Sequence, residues 1–248
     1  QFSIWDTRVQ DYQAFATATG RAWGKPVFEQ GPTHPAVMVS WNDAKAFCVW
    51  LTEKDRHAGT LNAVQEYRLP TDLEWSTAVG LPKETGSTPR ERNEKIADVF
   101  PWGTQWPPPR GVGNYRTQPD GFDHTSPVGS FTANRFGLYD MGGNVWQWCE
   151  DLIDGQSGTR VLRGSAWHGS VRRLLLSSCR CNHDPDIRLD RLGFRCVLTS
   201  AGASAGQAPS GVADSVAVQP EPKVQVPFAY LIDNGTVAIT KYPGPGGS

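Results

Sequence analysis

The sequence predicts an α+β fold with much irregular loop. Three short stretches carry the start signals of helices, the chain after Gly80 breaks into short pieces separated by proline and glycine, and β-like runs alternate with turns between residues 134 and 197. A chain of 248 residues can bury a sizeable core, and its many Trp, Gly and Pro residues favour irregular segments over a helical bundle. We therefore expect one large domain of mixed secondary structure.

Each predicted helix begins at a hydroxyl residue. Three residues later comes a side chain that can accept a hydrogen bond from the backbone N–H of that hydroxyl residue. Such a capping box satisfies backbone N–H groups that have no partner inside the helix. The hydroxyl residues are Thr7, Ser40 and Thr71. Gly20 and Gly80 stand where a left-handed residue is expected to end the first and third helices.

Core positions can be read from apolar spacing. Four side chains after Ser40 recur at helical spacing and predict a buried face: Ala44, Phe47, Cys48 and Leu51. Trp146 and Trp148 stand at alternate positions, and we expect both to fill the core.

Beyond Gly80 we expect long ordered loops and a small, twisted antiparallel sheet. The stretch PWGTQWPPPRGVGN, residues 101–114, cannot form a regular helix or a central strand, because its prolines lack N–H donors and fix φ. Short β-like runs at residues 160–162 and 194–198 predict strands.

The composition changes after residue 198. Residues 199–227 are rich in Ala, Ser, Gly, Pro and Val and cannot bury enough apolar area to become ordered, so we predict a flexible linker. Residues 228–248 alternate apolar positions on both sides of Asn234 and Gly235, which predicts a β-hairpin. This piece also resembles the opening of a bacterial leucine-rich-repeat module, cut off before any repeat. The predicted domain occupies residues 1–198.

Charge and composition exclude several classes of partner. A net charge of -1, with no basic run containing aromatics, argues against a general nucleic-acid binder. No apolar stretch approaches the roughly 20 residues of a membrane span. Because the chain begins at Gln1 without a signal peptide, we expect a fragment or mature form of a larger chain. Five cysteines allow at most two pairs.

Several motifs occur in one order along most of residues 2–198. They are HPAVMVSWNDAKAFCVWL, YRLPTDLEWSTAV, PWG, FGLYDMGGNVWQWCED, RVLRGSAW and GFRCV. In this order they resemble the formylglycine-generating-enzyme, or sulfatase-modifying-factor, family. The resemblance implies a variant of the C-type-lectin fold, with small twisted antiparallel sheets, a few short helices and long loops. The family's usual first strand is absent, since the chain starts almost at the first helix.

The resemblance also implies an activity whose residues are missing. The enzymes need two close cysteines, after an RGGS motif, that hold copper and activate oxygen. Here that interval reads RGSAWHGSVRRLLLSS. Arg172 and Ser177 stand where a second active-site cysteine and a structural one are expected, and Ala166 replaces the motif's serine. Because a soft metal needs thiolate ligands, we expect neither copper binding nor formylglycine generation.

Cys179, Cys181 and His183 leave a redox or metal site open as an alternative. Alternate residues of a strand project to the same side, so two sulfurs and a nitrogen could meet a soft metal. A fourth ligand is evident only if the fold brings His168 near. The other interpretation is three unrelated side chains on one face.

A second resemblance within the family concerns the segment between RGSAW and GFR. Some members are variable proteins of diversity-generating retroelements, in which this segment is extensively substituted and forms an exposed binding face. Here it mixes Cys, Ile and Leu with charges, which fits partner contact better than a core or a solvated face. The expected ligand-binding residues are Ala166, His168, Gly169, Ser170, Arg172, Arg173, Cys181, Asn182, His183, Ile187, Leu189, Asp190 and Arg191. An ordinary non-catalytic relative with an idiosyncratic surface is an equal alternative.

Structural calcium is the expected cofactor. The family binds it through loop oxygens, the hard donors that calcium prefers. The matching positions here are Asn114, Tyr115, Asp120 and Phe122 for one site, and Asp140, Gly143, Val145 and Gln147 for another. Gln147 replaces the usual glutamate at a position that contributes mainly through its backbone. Asp120 and Asp140 could instead cap turns.

Other residues are expected to support the fold. Cys48 and Cys196 match a pair that is bonded in secreted relatives, so we expect them to be neighbours. Four arginines lie among glycines and aromatics, where guanidinium groups can bind carbonyls and carboxylates: Arg163, Arg180, Arg188 and Arg195.

The sequence therefore predicts a non-catalytic binding module on a calcium-stabilised scaffold, with its binding face between residues 166 and 191. Its ligand would be a protein or a glycan. The alternative is an oxidoreductase of the formylglycine-generating type, or another redox oxidase that uses Cys179 and Cys181. We expect a bacterial protein, and we favour the cell surface or the outside of the cell over the cytoplasm.

Overall fold

A computed structural model of the protein describes residues 1–116, 121–200, 230–233 and 236–239. In this part of the chain the α-helices precede residue 93, and one 3-10 helix follows at Arg172–Leu175. The helices are α1 (Val9–Thr19), α2 (Trp41–His57), α3 (Asp72–Val79) and α4 (Pro89–Arg92). In the described residues, no helix combines the length and the apolar character that a membrane crossing requires.

Helices α2 and α3 begin at the predicted capping boxes. The Asp43 backbone N–H donates to Ser40 Oγ (3.1 Å), and the Ser40 N–H donates to Asp43 Oδ2 (3.1 Å). Thr71 and Glu74 form the same reciprocal pair at α3. Gly20 (φ 65°) and Gly80 (φ 92°) end α1 and α3 in the left-handed conformation, as predicted.

The predicted start of α1 at Thr7 is wrong by one residue. Arg8 is the N-cap, and its N–H donates to Asp11 Oδ2 (3.2 Å). Thr7 cannot cap the helix because its backbone is already paired: its N–H donates to Phe194 O (2.9 Å) and its carbonyl accepts from Ala36 N–H (2.8 Å).

A four-stranded sheet of order β4-β3-β2-β5 lies at the centre of the domain. The strands of the domain are β1 (Gln65–Arg68), β2 (Trp146–Leu152), β3 (Arg160–Arg163), β4 (Cys181–His183), β5 (Leu192–Gly193) and β6 (Val197–Ser200). Strands β1 and β6 form a separate antiparallel pair. The small sheets and few short helices confirm the predicted fold class, although β2 and β5 pair in parallel.

Two details of the predicted strands need correction. Residues 194–196 are not in a strand, because the carbonyls of Phe194 and Cys196 accept from Thr7 and Ser3 in the irregular N-terminal segment. Thr199 and Ser200, placed in the predicted linker, belong to β6 and pair with β1. The run at residues 160–162 is confirmed as part of β3.

Residues 101–114 form neither helix nor strand, as predicted. Trp146, Trp148 and Cys48 are buried in the main apolar core, also as predicted. That core packs α1 and α2 against the central sheet. It therefore fixes the strands that lead into residues 166–191.

Both strands of the predicted hairpin are formed. β7 (Tyr230–Asp233) and β8 (Thr236–Ile239) pair antiparallel with Asp233 opposite Thr236. Asn234 and Gly235, the remainder of residues 228–248 and the rest of the predicted linker lie outside the described residues.

Candidate functional site

The segment between residues 166 and 191 begins after β3 and runs through β4 to the start of β5. Strand β4 is one of the two edge strands of the central sheet, and its residues Cys181, Asn182 and His183 pair with β3. Eleven of the predicted face residues are half-buried or exposed: His168, Ser170, Arg172, Arg173, Cys181, Asn182, His183, Ile187, Leu189, Asp190 and Arg191.

Two of the predicted face residues are buried and do not belong to the surface. Ala166 is 0% exposed and packs in the main core. Gly169 is also buried, and a Cβ there would stand 2.6 Å from Ser165 Oγ and 2.9 Å from Ala166 O. Close packing of the loop, and not ligand contact, explains the small side chains at these two positions.

Arg191 is the electrostatic centre of one part of this surface. Burial lowers the pKa of His168 and of His183, and the Arg191 guanidinium lowers both further. Burial raises the pKa of the Cys181 thiol, and the same guanidinium partly offsets that rise. Arg191 therefore acts electrostatically on all three side chains, and its own guanidinium lies 3.4 Å from the Asp190 carboxylate.

A cluster of aromatic rings adjoins Arg191, and sequence reasoning missed most of it. Phe28 stacks on His124 with ring centroids 4.2 Å apart, and Trp167 meets the edge of His124 at 4.8 Å. The His168 ring lies 5.3 Å from Trp167. All four rings are half-buried. We call Phe28, His124, Trp167 and His168 the aromatic cluster.

Asn144 holds the loops that present this cluster. Its side chain accepts from Ser126 N–H (3.0 Å) and donates to Ser126 O (3.1 Å). Its carbonyl accepts from Trp167 N–H (3.0 Å), and its N–H donates to Asn114 O (3.1 Å). At φ 60° the backbone turns sharply enough for one residue to bridge three loops. Asn144 belongs to the GGN motif, but nothing in the motif predicts that it joins three loops.

Arg172 and Arg173 lie on the 3-10 helix and form ion pairs with the segment that follows α4. Arg172 pairs with Asp98 (2.7 Å) and lies over the rings of Phe100 (5.3 Å) and Trp106 (5.4 Å). Arg173 pairs with Glu94 (2.7 Å). Both residues are exposed, so their guanidinium groups belong to the surface while their ion pairs anchor them.

Of the two cysteines of the alternative redox site, Cys179 is poorly placed for chemistry. Cys179 is 2% exposed and packs in the main core, outside β4. Burial raises the pKa of the Cys179 thiol to about 12. Because the thiolate is the reactive and metal-binding form, such a thiol is inert at neutral pH. Among the described residues, no three His, Cys, Asp or Glu side chains form a group that could hold a metal.

Cys48 and Cys196 are neighbours, as predicted. Their sulfur atoms lie 3.6 Å apart in the core, and both thiols are free. The predicted structural arginines are also found in such roles. Arg163 and Arg180 bind Asp72, Arg195 lies 3.3 Å from Asp6, and Arg188 binds Asp43 (2.7 Å).

The second predicted calcium set contains one donor oxygen that is poised for a cation. Asp140 Oδ2 accepts from Gly129 N–H (2.8 Å), but Oδ1 is buried and has no hydrogen-bond partner within the part of the chain that the structure describes. Burial raises the pKa of Asp140 to about 6, against the smaller opposing effects of Gly129 and Arg195. A calcium ion at Oδ1 would offset the unfavourable burial of the ionised carboxylate, so Asp140 fits the ion.

Gln147 does not fit as a side-chain ligand. Its Oε1 accepts from Trp75 Nε1 (2.8 Å) and Arg195 Nε (2.9 Å), and its Nε2 donates to Asp140 O (2.6 Å). Its side chain is therefore used within the fold, and a contribution of its backbone to a calcium site stays a prediction. Gly143 (φ 80°) and the buried Val145 lie on the same loop.

The first calcium set is seen only in part. Asn114 and Tyr115 are buried, and Phe122 is exposed. Asn114 Nδ2 donates to His124 O (2.7 Å). Asp120 lies outside the described residues. Because Asn114 O accepts from Asn144 N–H, the loops of the two sets pack together and support the aromatic cluster.

A family model described as "Sulfatase-modifying factor enzyme 1-like domain" matches residues 2–200. Inactive C-alpha-formylglycine-generating enzyme 2 of Bos taurus is 34% identical over 185 residues, which cover 70% of this chain and 52% of that protein. Formylglycine-generating enzyme of Streptomyces coelicolor is 32% identical over 206 residues, with 70% and 56% covered. The chain thus spans about half the length of these curated relatives.

Solved structures with the same fold include PvdO from Pseudomonas aeruginosa. It superposes with a TM-score of 0.63 at 28% identity, over 80% of this chain and 79% of that one. Treponema denticola variable protein 1 superposes with a TM-score of 0.58 at 23% identity, over 79% and 82%. Similarity to the latter concerns the fold alone.

Proposed function

The chain belongs to the sulfatase-modifying factor enzyme 1-like family, and on that premise we propose that it is a binding module without formylglycine-generating activity. The observation that carries this proposal is the state of its thiols. The interval that follows β3 has no cysteine, and Cys179, the next one, is buried with its pKa raised to about 12. The chain therefore lacks the thiolate ligands that would bind copper and allow it to activate oxygen.

Two relatives whose names describe them as inactive support the same conclusion. The Bos taurus and Mus musculus proteins named inactive C-alpha-formylglycine-generating enzyme 2 are 34% and 36% identical to this chain. Family membership does not fix activity, because function depends on the residues of the site.

We place the ligand on the surface formed by the aromatic cluster, Arg191 and strand β4. Half-buried rings supply flat apolar area, and Arg191 with Asp190 supplies charged groups that orient a ligand. Protein-binding surfaces are enriched in aromatic and Arg residues of this kind. Calcium bound at Asp140 would stabilise the loops that Asn144 joins and would keep the cluster ordered.

Selection from a phage-displayed peptide library tests the proposal. Peptides selected on the wild-type protein are measured against Arg191→Glu, against Trp167→Ala, and against the control Lys83→Glu, which reverses an exposed charge outside the predicted face. We expect the two face variants to weaken binding by about tenfold or more, as at interface hot spots, while the control does not. Selected peptides that bind all four proteins equally would contradict this placement.

Retroelement diversification is a finer form of the same proposal. It predicts that the gene lies near a reverse transcriptase and a near-copy of the segment encoding residues 166–191, rich in AAC or AAT codons. A gene neighbourhood without either would leave an undiversified binding face.

A further inference from the structure

A groove of about 760 Å³ opens between α2, β1, the first turn of α3 and the end of β2. Its volume falls within the range of about 300–1,000 Å³ that is typical of ligand sites. Residues 166–191 contribute none of its lining, so it is a second surface.

Each of the two cationic side chains that line this groove forms an ion pair. Lys45 Nζ binds both oxygens of Glu150 at 2.8 and 2.9 Å and so links α2 to β2. Arg68 binds both oxygens of Glu74 at 2.7 and 2.6 Å and links β1 to α3. Each pair therefore connects two of the four elements that line the groove.

Two further carboxylates of the groove form no ion pair among the described residues. Glu66 is exposed and forms no ion pair. Asp151 is half-buried, its Oδ2 accepts the backbone N–H of Asp72 (2.7 Å), and Arg92 acts on it only weakly from outside the lining. Burial raises the pKa of Asp151, which means that its ionised form is under-stabilised. Four carboxylates against two cationic side chains give the lining an excess of negative charge.

Apolar side chains lie beside these charges. Val49 on α2 is 56% exposed and Leu73 on α3 is 49% exposed, and both line the groove. Exposed aliphatic groups that border a concave surface mark contact sites more often than scattered ones do. A ligand that fits here combines positive charge with apolar groups.

We propose that this groove docks an extended peptide segment of a partner protein, in which a Lys or Arg side chain stands next to an apolar one. The cation would pair with Glu66 and Asp151, and the apolar side chains would contact Val49 and Leu73. A nucleic acid is excluded by the sign of the charge. A bare metal ion would leave most of the volume and the aliphatic rim unused.

The test uses two fluorescein-labelled peptides, one of alternating arginine and leucine and one of alternating glutamate and leucine. Fluorescence anisotropy measures their binding to the full chain. We expect saturable binding of the arginine peptide alone, weakened by added salt because exposed charges are screened. The double variant Glu66→Gln, Asp151→Asn should bind about tenfold more weakly, on the basis of about threefold per lost charge pair.

Both substitutions are chosen to preserve the fold. Glu66 is exposed, and the amide introduced by Asp151→Asn keeps an oxygen that can accept the Asp72 N–H. Glu66→Lys, a single change at an exposed position, provides a second test and should weaken binding at least as much. The control Glu29→Gln removes an exposed carboxylate outside the groove and should have no effect.

Three results would overturn the proposal: no saturable binding of the arginine peptide, equal binding of both peptides, or unchanged affinity in the Glu66 variants. Because none of these substitutions lies between residues 166 and 191, failure here leaves the proposed binding face untouched.

Discussion

Arg180 and Asp72 are 108 residues apart in the chain and form a 3.0 Å ion pair in which neither side chain reaches solvent. Asp72 also binds Arg92 (3.1 Å) and Arg163, and Arg180 also binds Glu84 (2.6 Å). This buried network joins the start of α3 to the residue just before β4. It therefore sets the position of the edge strand on which part of the binding face lies.

Replacing Asp72 should be severe. Asp72→Asn keeps the volume but leaves Arg163 and Arg180 buried without their shared carboxylate, and breaking a buried ion pair costs about 3–5 kcal/mol. Urea unfolding at neutral pH measures the loss in the free energy of unfolding. Arg173→Gln, which removes an exposed pair with Glu94, is the control and should cost less than about 1 kcal/mol. Equal effects of the two variants would refute the role given to Asp72.

Asp6 should make the protein less stable as the pH rises. Burial raises its pKa to about 8 from 3.8, although Arg195 lies only 3.3 Å away. Because the folded form holds this proton more tightly than the unfolded chain, stability falls between pH 4 and pH 8, by up to about 1.4 kcal/mol per pH unit. Above pH 8 the ionisation of Asp6 causes no further loss of stability.

Asp6→Asn should therefore flatten the decline of Tm between pH 5 and pH 8. Asp140, with its pKa raised to about 6, stays in both proteins and accounts for a residual slope. If wild type and variant lose Tm in parallel across this window, Asp6 is not the titrating group.

Calcium should stabilise the domain through Asp140. A ligand at a hundred times its Kd adds about 2.7 kcal/mol to the free energy of unfolding. We expect Tm of EGTA-treated protein to rise on addition of calcium, and Asp140→Asn to remove most of that rise. No shift at about 10 mM calcium, above the range of weak extracellular sites, would count against any calcium site in this chain.

The cysteines should differ in reactivity. Cys48, Cys149, Cys179 and Cys196 are buried, whereas Cys181 is half-buried. Because only an accessible thiolate reacts, iodoacetamide at neutral pH should label Cys181 first and the other four only after unfolding. Peptide mapping by mass spectrometry measures the order. Early labelling of Cys179 would show that this thiol is more accessible and more acidic than its burial implies.

Local chemistry explains which parts of the fold could be predicted. The caps at Ser40 and Thr71 each need only four consecutive residues, and both helices start there. Thr7 carries a similar local signal, but Phe194 and Ala36 use its backbone, and no local pattern reveals partners that distant. The same limit applies to residues 194–196, whose β-like composition is overridden by pairing with the N-terminal segment.

The candidate site was predicted in outline only. The motifs place a surface between residues 166 and 191, but Phe28 and His124 join it from loops that share no spacing or composition with it. Asp72 gave no signal beyond its place in a helix start, since its role depends on three arginines that come together only on folding.

The central claim is tested most directly by offering the protein a sulfatase-motif peptide that contains one cysteine, together with copper and oxygen, and following conversion of that cysteine to formylglycine by mass spectrometry. The account predicts no conversion above a protein-free control, while an active formylglycine-generating enzyme converts the peptide under the same conditions. Conversion by this chain that disappears in the double variant Cys179→Ser, Cys181→Ser would contradict it.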